Sequence, residues 1–301
     1  MAINEFYRKL EIVNKELKKD FLCVPPIVGQ IVFGKSFVDD LFKDLTDGKS
    51  IVSPIVARVQ NPDTRVYQIE YRYKYCEIFR PYLPVIEYAT YDAMSGNYVC
   101  AYLSFLPVVE AVLRKWAEEE PNLTFNKMKG FAPKLIGNLQ EHEYYPDHRI
   151  SWSNSLIDYL QYVLCNVLYE NFDDYADSDF SVIFNRNLAL HKLEGITSGD
   201  CKLNVVRVQL VLDVIAGLYF LKKDKDGYWD CCIFYDRPEK NLDYVLRWTL
   251  YEKRFILSLT SDDIHIVENY LINSVSDYVR NYVIDEILYK IKKGDRKSTR
   301  L

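Results

Sequence analysis

Residues 203–221, LNVVRVQLVLDVIAGLYFL, decide the fold class. Wound as a helix, this stretch is apolar on nearly every side. A helix with no face to give to water belongs inside a bundle of other helices. Lys222, Lys223, Asp224 and Gly227 break the pattern on its C-terminal side. The rest of the composition agrees: 49% of the 301 residues are apolar, enough for a sizeable core, while glycine and proline number only 11 each. All-β sandwiches and barrels need more turns than that.

Working back from this helix, Asp177, Ser178 and Asp179 offer caps for a helix running to about Leu193, which Gly195 is placed to end. Ser153 or Asn154 starts another through about Tyr169, with Leu156, Leu160, Val163 and Val167 on one stripe. Residues 126–142 read as a shorter helix. Asn97 caps a longer one through Ala117, which carries Val99, Leu103, Leu106, Val109 and Leu113 inward and Pro107 as a kink.

Residues 1–96 open with an amphipathic helix whose stripe is Phe6, Leu10, Val13, Leu17 and Phe21, and then meet Pro25, Pro26, Pro54, Pro62, Pro81 and Pro84 as breakers. Within them, Tyr67, Ile69, Tyr71, Tyr73 and Tyr75 alternate with polar residues, a strand period, yet Tyr67, Tyr71, Tyr75, Ile78 and Tyr82 also fit a helix. Both readings stay open. Interleaved tyrosine and basic residues suit base stacking, and equally an aromatic face packed on the core.

On the other side, residues 223–261 read as a charged, aromatic connection. A helix follows Ser261 and passes Ile287, with Ile264, Val267, Tyr270, Leu271, Val275, Tyr278, Val279 and Tyr282 on its stripe. That face must dock on the bundle or on a second subunit. The expected fold is therefore mainly α, with minor β possible in the 50–75 region. Residues 1–96 form an N-terminal segment, 97–222 a helical bundle, and 223–301 a C-terminal helical extension.

Seven cysteines, Cys23, Cys76, Cys100, Cys165, Cys201, Cys231 and Cys232, are odd in number, scattered, and lack a Cys-x2-Cys pair. Reduced thiols in a cytoplasm are the simplest reading. The N-terminus lacks the uninterrupted apolar run of a signal peptide, and no stretch of eighteen apolar residues predicts a membrane span. A net charge of −5 excludes a broad basic surface, so any RNA contact must be local. The basic cluster Lys290, Lys292, Lys293, Arg296, Lys297 and Arg300 reads as a solvated tail.

No glycine-rich phosphate loop, Gly-x-Ser-x-Gly elbow or His-Glu-x2-His zinc site occurs, so the expectation is of no cofactor and no metal. His142, Glu143, Asp147 and His148 lie close together, but Pro146 falls between the histidines and a polar loop is expected there. The adjacent Cys231 and Cys232, in YWDCCIFY, read as packing residues.

The stretch FNRNLALHKLEG, residues 184–195, carries the candidate chemistry. Arginine is a permanently charged, forked donor that matches phosphate, and histidine carries protons near neutral pH. RNA can be cut by its own 2'-hydroxyl if one group takes that proton, another balances the charge building on phosphorus, and a third protonates the leaving 5'-oxygen. Arg186, Asn187 and His191 are the candidate catalytic residues. On a helix a five-residue step turns about 140°, so Arg186 and His191 occupy different faces, while Asn187 and His191 share one. One histidine serves poorly as both acid and base, which favours two copies across a twofold axis.

Arg186-Asn187, His191, the apolar helix that follows, and LSFLPVVEAVLRKW at 103–116 together resemble the HEPN domain family of prokaryotic toxins and abortive-infection defence proteins. The resemblance covers about 97–222. It departs where Lys192, Leu193 and Glu194 intervene between His191 and Gly195, since relatives often place glycine directly after the histidine. It implies a homodimeric, metal-independent endoribonuclease in which Arg186 binds phosphate, His191 does acid or base chemistry and Asn187 assists. RNA, and an antitoxin or defence partner protein, are the implied partners, with no membrane. The alternatives are a catalytically silent HEPN-like module that binds nucleic acid, nucleotide or protein, or a structural motif in which Arg186 pairs with a carboxylate such as Glu110.

Overall fold

The computed structural model describes residues 2–24, 35–120, 134, 147–170, 184–191, 198–223 and 242–258. Among them the chain is helical and contains no strand. The helices are α1 (Ala2–Leu17), α2 (Lys35–Thr46), α3 (Val52–Val59), α4 (Pro62–Tyr71), α5 (Leu83–Met94), α6 (Tyr98–Glu118), α7 (Asp147–Val163), α8 (Arg186–His191), α9 (Ser198–Lys223) and α10 (Leu242–Ser258). The expected helix over 126–142 and the one after Ser261 lie outside the described residues.

Helix α9 is the axis of the core. Val205, Val208, Leu212 and Ile215 have no exposure, although together they point in every direction around it. The stretch Cys201–Phe220 is long and apolar enough to cross a membrane by length and composition, but 89% of it is buried within this fold. Packing against other helices accounts for its apolarity.

Its polar minority is buried too, and each charge there has a partner. Asp213 accepts two hydrogen bonds from Arg65 of α4, at 3.3 and 2.7 Å, and one from the Tyr73 hydroxyl. Arg207 donates to the Asp20 carbonyl at 2.9 Å and to Asn204 at 2.8 Å. The Asp20 carbonyl is presented by a left-handed residue, Phe21 (φ 59°), which closes the end of α1 and brings its ring under the same guanidinium. Buried charges persist only when so compensated.

The alternation at 67–75 resolves to helix. Helix α4 is buried on all faces, Tyr67 and Tyr71 pack ring on ring one turn apart, and Tyr73 stacks on Phe79. These tyrosines lie in the core and are withheld from any stacking ligand. A helix buried all round can alternate polar and apolar residues when its charges are matched. Glu70 takes Lys74 at 2.6 Å and Arg247 of α10 at 2.7 Å, and Arg247 also reaches Glu87 of α5 at 2.9 Å.

Three helix starts differ from the sequence reading. Pro62 and Pro84, taken as breakers, stand in the first turns of α4 and α5, where a missing N–H costs nothing. Asn61 caps α4, accepting from the Asp63 amide at 2.8 Å. Helix α7 begins at Asp147, ahead of the expected Ser153, so Asp147 and His148 are helical where a loop was expected. Residues 242–258, assigned to a connection, form α10.

Helices α5 and α6 form an antiparallel hairpin. The Asn97 amide bonds back to Asp92 and that of Gly96 to Ala93, with Gly96 left-handed (φ 78°), as a glycine tolerates after a helix end. One apolar cluster runs from Leu10 to Phe255, across the positions 96 and 222 at which the sequence pattern changes.

Candidate functional site

Residues 184–187 are held from two sides. Phe184 has no exposure and its ring lies 6.3 Å from that of Tyr102 on α6. Asn185 is equally buried, and its side-chain amide donates to the carbonyls of Val167 and Glu170, at 2.9 and 3.1 Å. Those carbonyls belong to the end of the α7 arm, where α-helix passes into a π-turn over Leu164–Leu168. The last turn of a helix leaves carbonyls without intrahelical partners, and here a side chain supplies them.

This anchoring corrects the expected start of the motif helix. Phe184 and Asn185 are not helical, and α8 begins at Arg186, with the Asn185 carbonyl accepting from the Ala189 amide at 3.1 Å. Arg186 is therefore the first helical residue. His191 is in the second turn of α8, and its side chain lies outside the described residues, as do residues 192–197.

Arg186 is enclosed by three groups. Its Nη2 stands 3.0 Å from Glu110 Oε2 of α6, its Nη1 donates to Asn187 Oδ1 at 3.3 Å, and its guanidinium lies 6.0 Å from the centre of the Tyr169 ring. Asn187 in turn donates to the Glu170 carbonyl at 3.3 Å, which fixes the direction of its amide oxygen. Glu110 also takes Arg114, one turn along α6, through Nη2 at 2.6 Å and Nε at 3.0 Å. Two guanidiniums thus share one carboxylate, and the cluster keeps a net positive charge.

The cluster is partly open. The side chain of Arg186 retains 26% of its exposure, while its Nε is buried with no hydrogen-bond partner among the described residues. The Tyr169 hydroxyl is likewise buried and unpartnered. Burial foremost, then the Glu110 charge, pushes the Tyr169 phenol up, with Arg186 pulling the other way, so the hydroxyl stays protonated. Chemically, the cluster is a positioned guanidinium with a neutral phenol and an amide beside it, suited to holding an oxyanion.

Of the three sequence candidates, the structure brings Arg186 and Asn187 into contact and carries His191 on the same short helix. The pairing of Arg186 with Glu110 is also present, as the structural alternative expected. Arg114, Tyr169 and Asn185 went unnoticed in the sequence. The i,i+4 spacing of Glu110 and Arg114 was a readable signal; the roles of Tyr169 and Asn185 depend on tertiary contact alone.

The described residues contain no group of three or more His, Cys, Asp or Glu side chains arranged to hold a metal. The side chains of His142, Glu143, Asp147 and His148 fall outside them, as do Cys231 and Cys232. Cys23, Cys76, Cys100, Cys165 and Cys201 are free thiols. In comparisons with protein-family models, curated proteins and solved structures, no match to this chain was found.

Proposed function

We propose that this chain is a HEPN-like, metal-independent endoribonuclease that acts as a homodimer. The observation that carries the reading is Arg186: partly exposed, directed by Glu110 and Asn187, and placed at the start of a short helix that bears His191 and precedes a fully buried one. A phosphate oxygen is the natural ligand for such a guanidinium.

In the proposed reaction the 2'-hydroxyl of RNA gives up its proton to one histidine and attacks phosphorus. The 5'-oxygen leaves with a proton from the other, giving a 2',3'-cyclic phosphate and a 5'-hydroxyl. Arg186 balances the charge on the phosphoryl oxygens and Asn187 orients the group. The His191 residues of two subunits supply the acid and the base. The reading places the protein in a reducing cytoplasm, as a defence effector or toxin, with an antitoxin or defence protein as a further partner and no membrane. It assigns the bundle to residues 97–222, with 1–96 and 223–301 as flanking segments.

The Glu110–Arg186 pair favours a second reading, a catalytically silent module of the same fold that binds nucleic acid, nucleotide or protein. RNA degradation by the purified protein in EDTA, beside His191→Ala and Arg186→Ala, separates the two. Endoribonuclease action predicts cyclic-phosphate ends from the wild type and loss in both variants with unchanged circular dichroism. Cleavage that survives in both variants sinks the enzymatic reading, and tight RNA binding without cleavage establishes the silent one.

A further inference from the structure

Helices α5 and α10 lie side by side and run in the same direction. Arg247 meets Glu87, Arg254 lies over the Tyr91 ring at 5.0 Å, and Ser258 approaches Gly96, so residue numbers rise together along both. The seam between them carries apolar residues that the described fold leaves in water. On α5 these are Val85 and Tyr88, 43% and 75% exposed; on α10 it is Leu250, 45% exposed. Leu250 sits one turn from Arg247 and one from Arg254, the two residues that reach across to α5. Tyr88 adjoins Glu87, their counterpart. The three therefore border one groove rather than scattering over the surface.

The end of α10 indicates what covers it. Ser258 lies against the α5–α6 turn, at the far end of the groove from Val85. Only residues 259–261 separate it from the amphipathic stretch 262–287 read in the sequence, and so short a connection between helices makes antiparallel neighbours. A helix leaving Ser258 and turning back runs along α10 toward Leu250 and Tyr88. Twelve residues of α5 span about 18 Å, and 26 residues of helix span about 39 Å, so the groove is covered with length to spare. Charge agrees. The stretch carries Asp262, Asp263, Glu268, Asp277, Asp285 and Glu286 against Arg280, while Lys253 and Arg254 stand exposed beside the groove.

We propose that residues 262–287 dock as an antiparallel helix on the α5–α10 groove of their own chain, seating the Val267, Leu271 and Val275 stripe over Val85, Tyr88 and Leu250. The test places a photo-crosslinking phenylalanine analogue at Tyr88 and, separately, at Leu250 of the full chain, in a mixture of isotopically light and heavy protein. Crosslinks to peptides from 262–287 that carry a single isotope label are expected at both positions. Crosslinks that join light to heavy chains would overturn the proposal in favour of a second copy on the groove. Crosslinks to other segments, or none at either position in a chain of unchanged circular dichroism, would overturn it outright.

Discussion

Arg186 Nη2 stands 3.0 Å from Glu110 Oε2, so the guanidinium offered to a phosphate is charge-balanced before any ligand arrives. Glu110 both aims the arginine and competes with its ligand. Replacing Glu110 with Gln keeps the shape and a hydrogen-bonding oxygen but removes the competing charge. Binding of a 2'-deoxy oligonucleotide, which cannot be cleaved, is expected to tighten several-fold and to grow more sensitive to salt. Stability is expected to fall by about 1 kcal/mol or less, because both partners are partly solvated. Unchanged affinity would show that Arg186 is not where the nucleic acid binds.

The pair Arg65–Asp213 is a different case, since neither side chain exceeds 3% exposure. Asp213→Asn leaves a guanidinium in the core without its counter-charge, and a loss of about 3–5 kcal/mol is expected in denaturant unfolding. Tyr73→Phe, which deletes one donor to that carboxylate, is expected to cost about 2 kcal/mol. Exchanging both charges for apolar residues, Arg65→Met with Asp213→Leu, is expected to cost less than Asp213→Asn alone. A double variant as unstable as the sum of its singles would refute the account.

Alkaline pH supplies a third test. Tyr73, Tyr102, Tyr159 and Tyr251 are each buried, and burial above all pushes their phenols up from the ordinary value near 10. Their folded-state pKa values are raised, so the stability they contribute is present below pH 10 and lost as the pH climbs above it. There the unfolded chain releases phenolic protons that the folded chain keeps. Each such tyrosine steepens the fall by about 1.4 kcal/mol per pH unit. The melting temperature is expected to drop sharply above pH 10, with part of the phenolate absorbance appearing only on unfolding. Tyr102→Phe, which removes a buried hydroxyl without a hydrogen-bond partner, is expected to make the fall shallower at no cost near neutrality. An unaltered alkaline slope in that variant would count against the assignment.

Much of the helical core was readable because apolar periodicity is a local property. The stripes of α6 and α9 and the inward face of α7 are visible in the chain order of Leu106, Val109, Leu156 and Leu160 alone. What escaped was decided by contacts between distant residues. Helix α10 hides because its buried face includes Arg247 and Glu252, charges admitted to the interior only because Glu70 and Glu87 meet the arginine. Asn61-Pro62 reads as a break until the cap on Asp63 is seen. At the site, residue types named Arg186 and Asn187 and spacing named His191. The ring of Tyr169 and the shared use of Glu110 by Arg114 required three helices to be brought together.

The start of α8 shows how such a contact can be tested. Asp177, Ser178 and Asp179 are good helix caps by residue type, yet Asn185 stays out of the helix because its amide is drawn onto the Val167 and Glu170 carbonyls. Asn185 touches no substrate in the proposed reaction; it sets where Arg186 begins. Asn185→Ala removes both donors from a fully buried position, and a stability loss of about 1–3 kcal/mol is expected. Its effect on RNA is expected to differ from that of Arg186→Ala. Free of its tether, Arg186 keeps its charge but loses its placement, so kcat falls while affinity for uncleavable RNA and its salt dependence change little. Asn185→Asp keeps the shape but points a carboxylate at two carbonyls, and is expected to be worse than alanine. A variant that loses affinity in step with kcat would instead place Asn185 in direct contact with the bound strand.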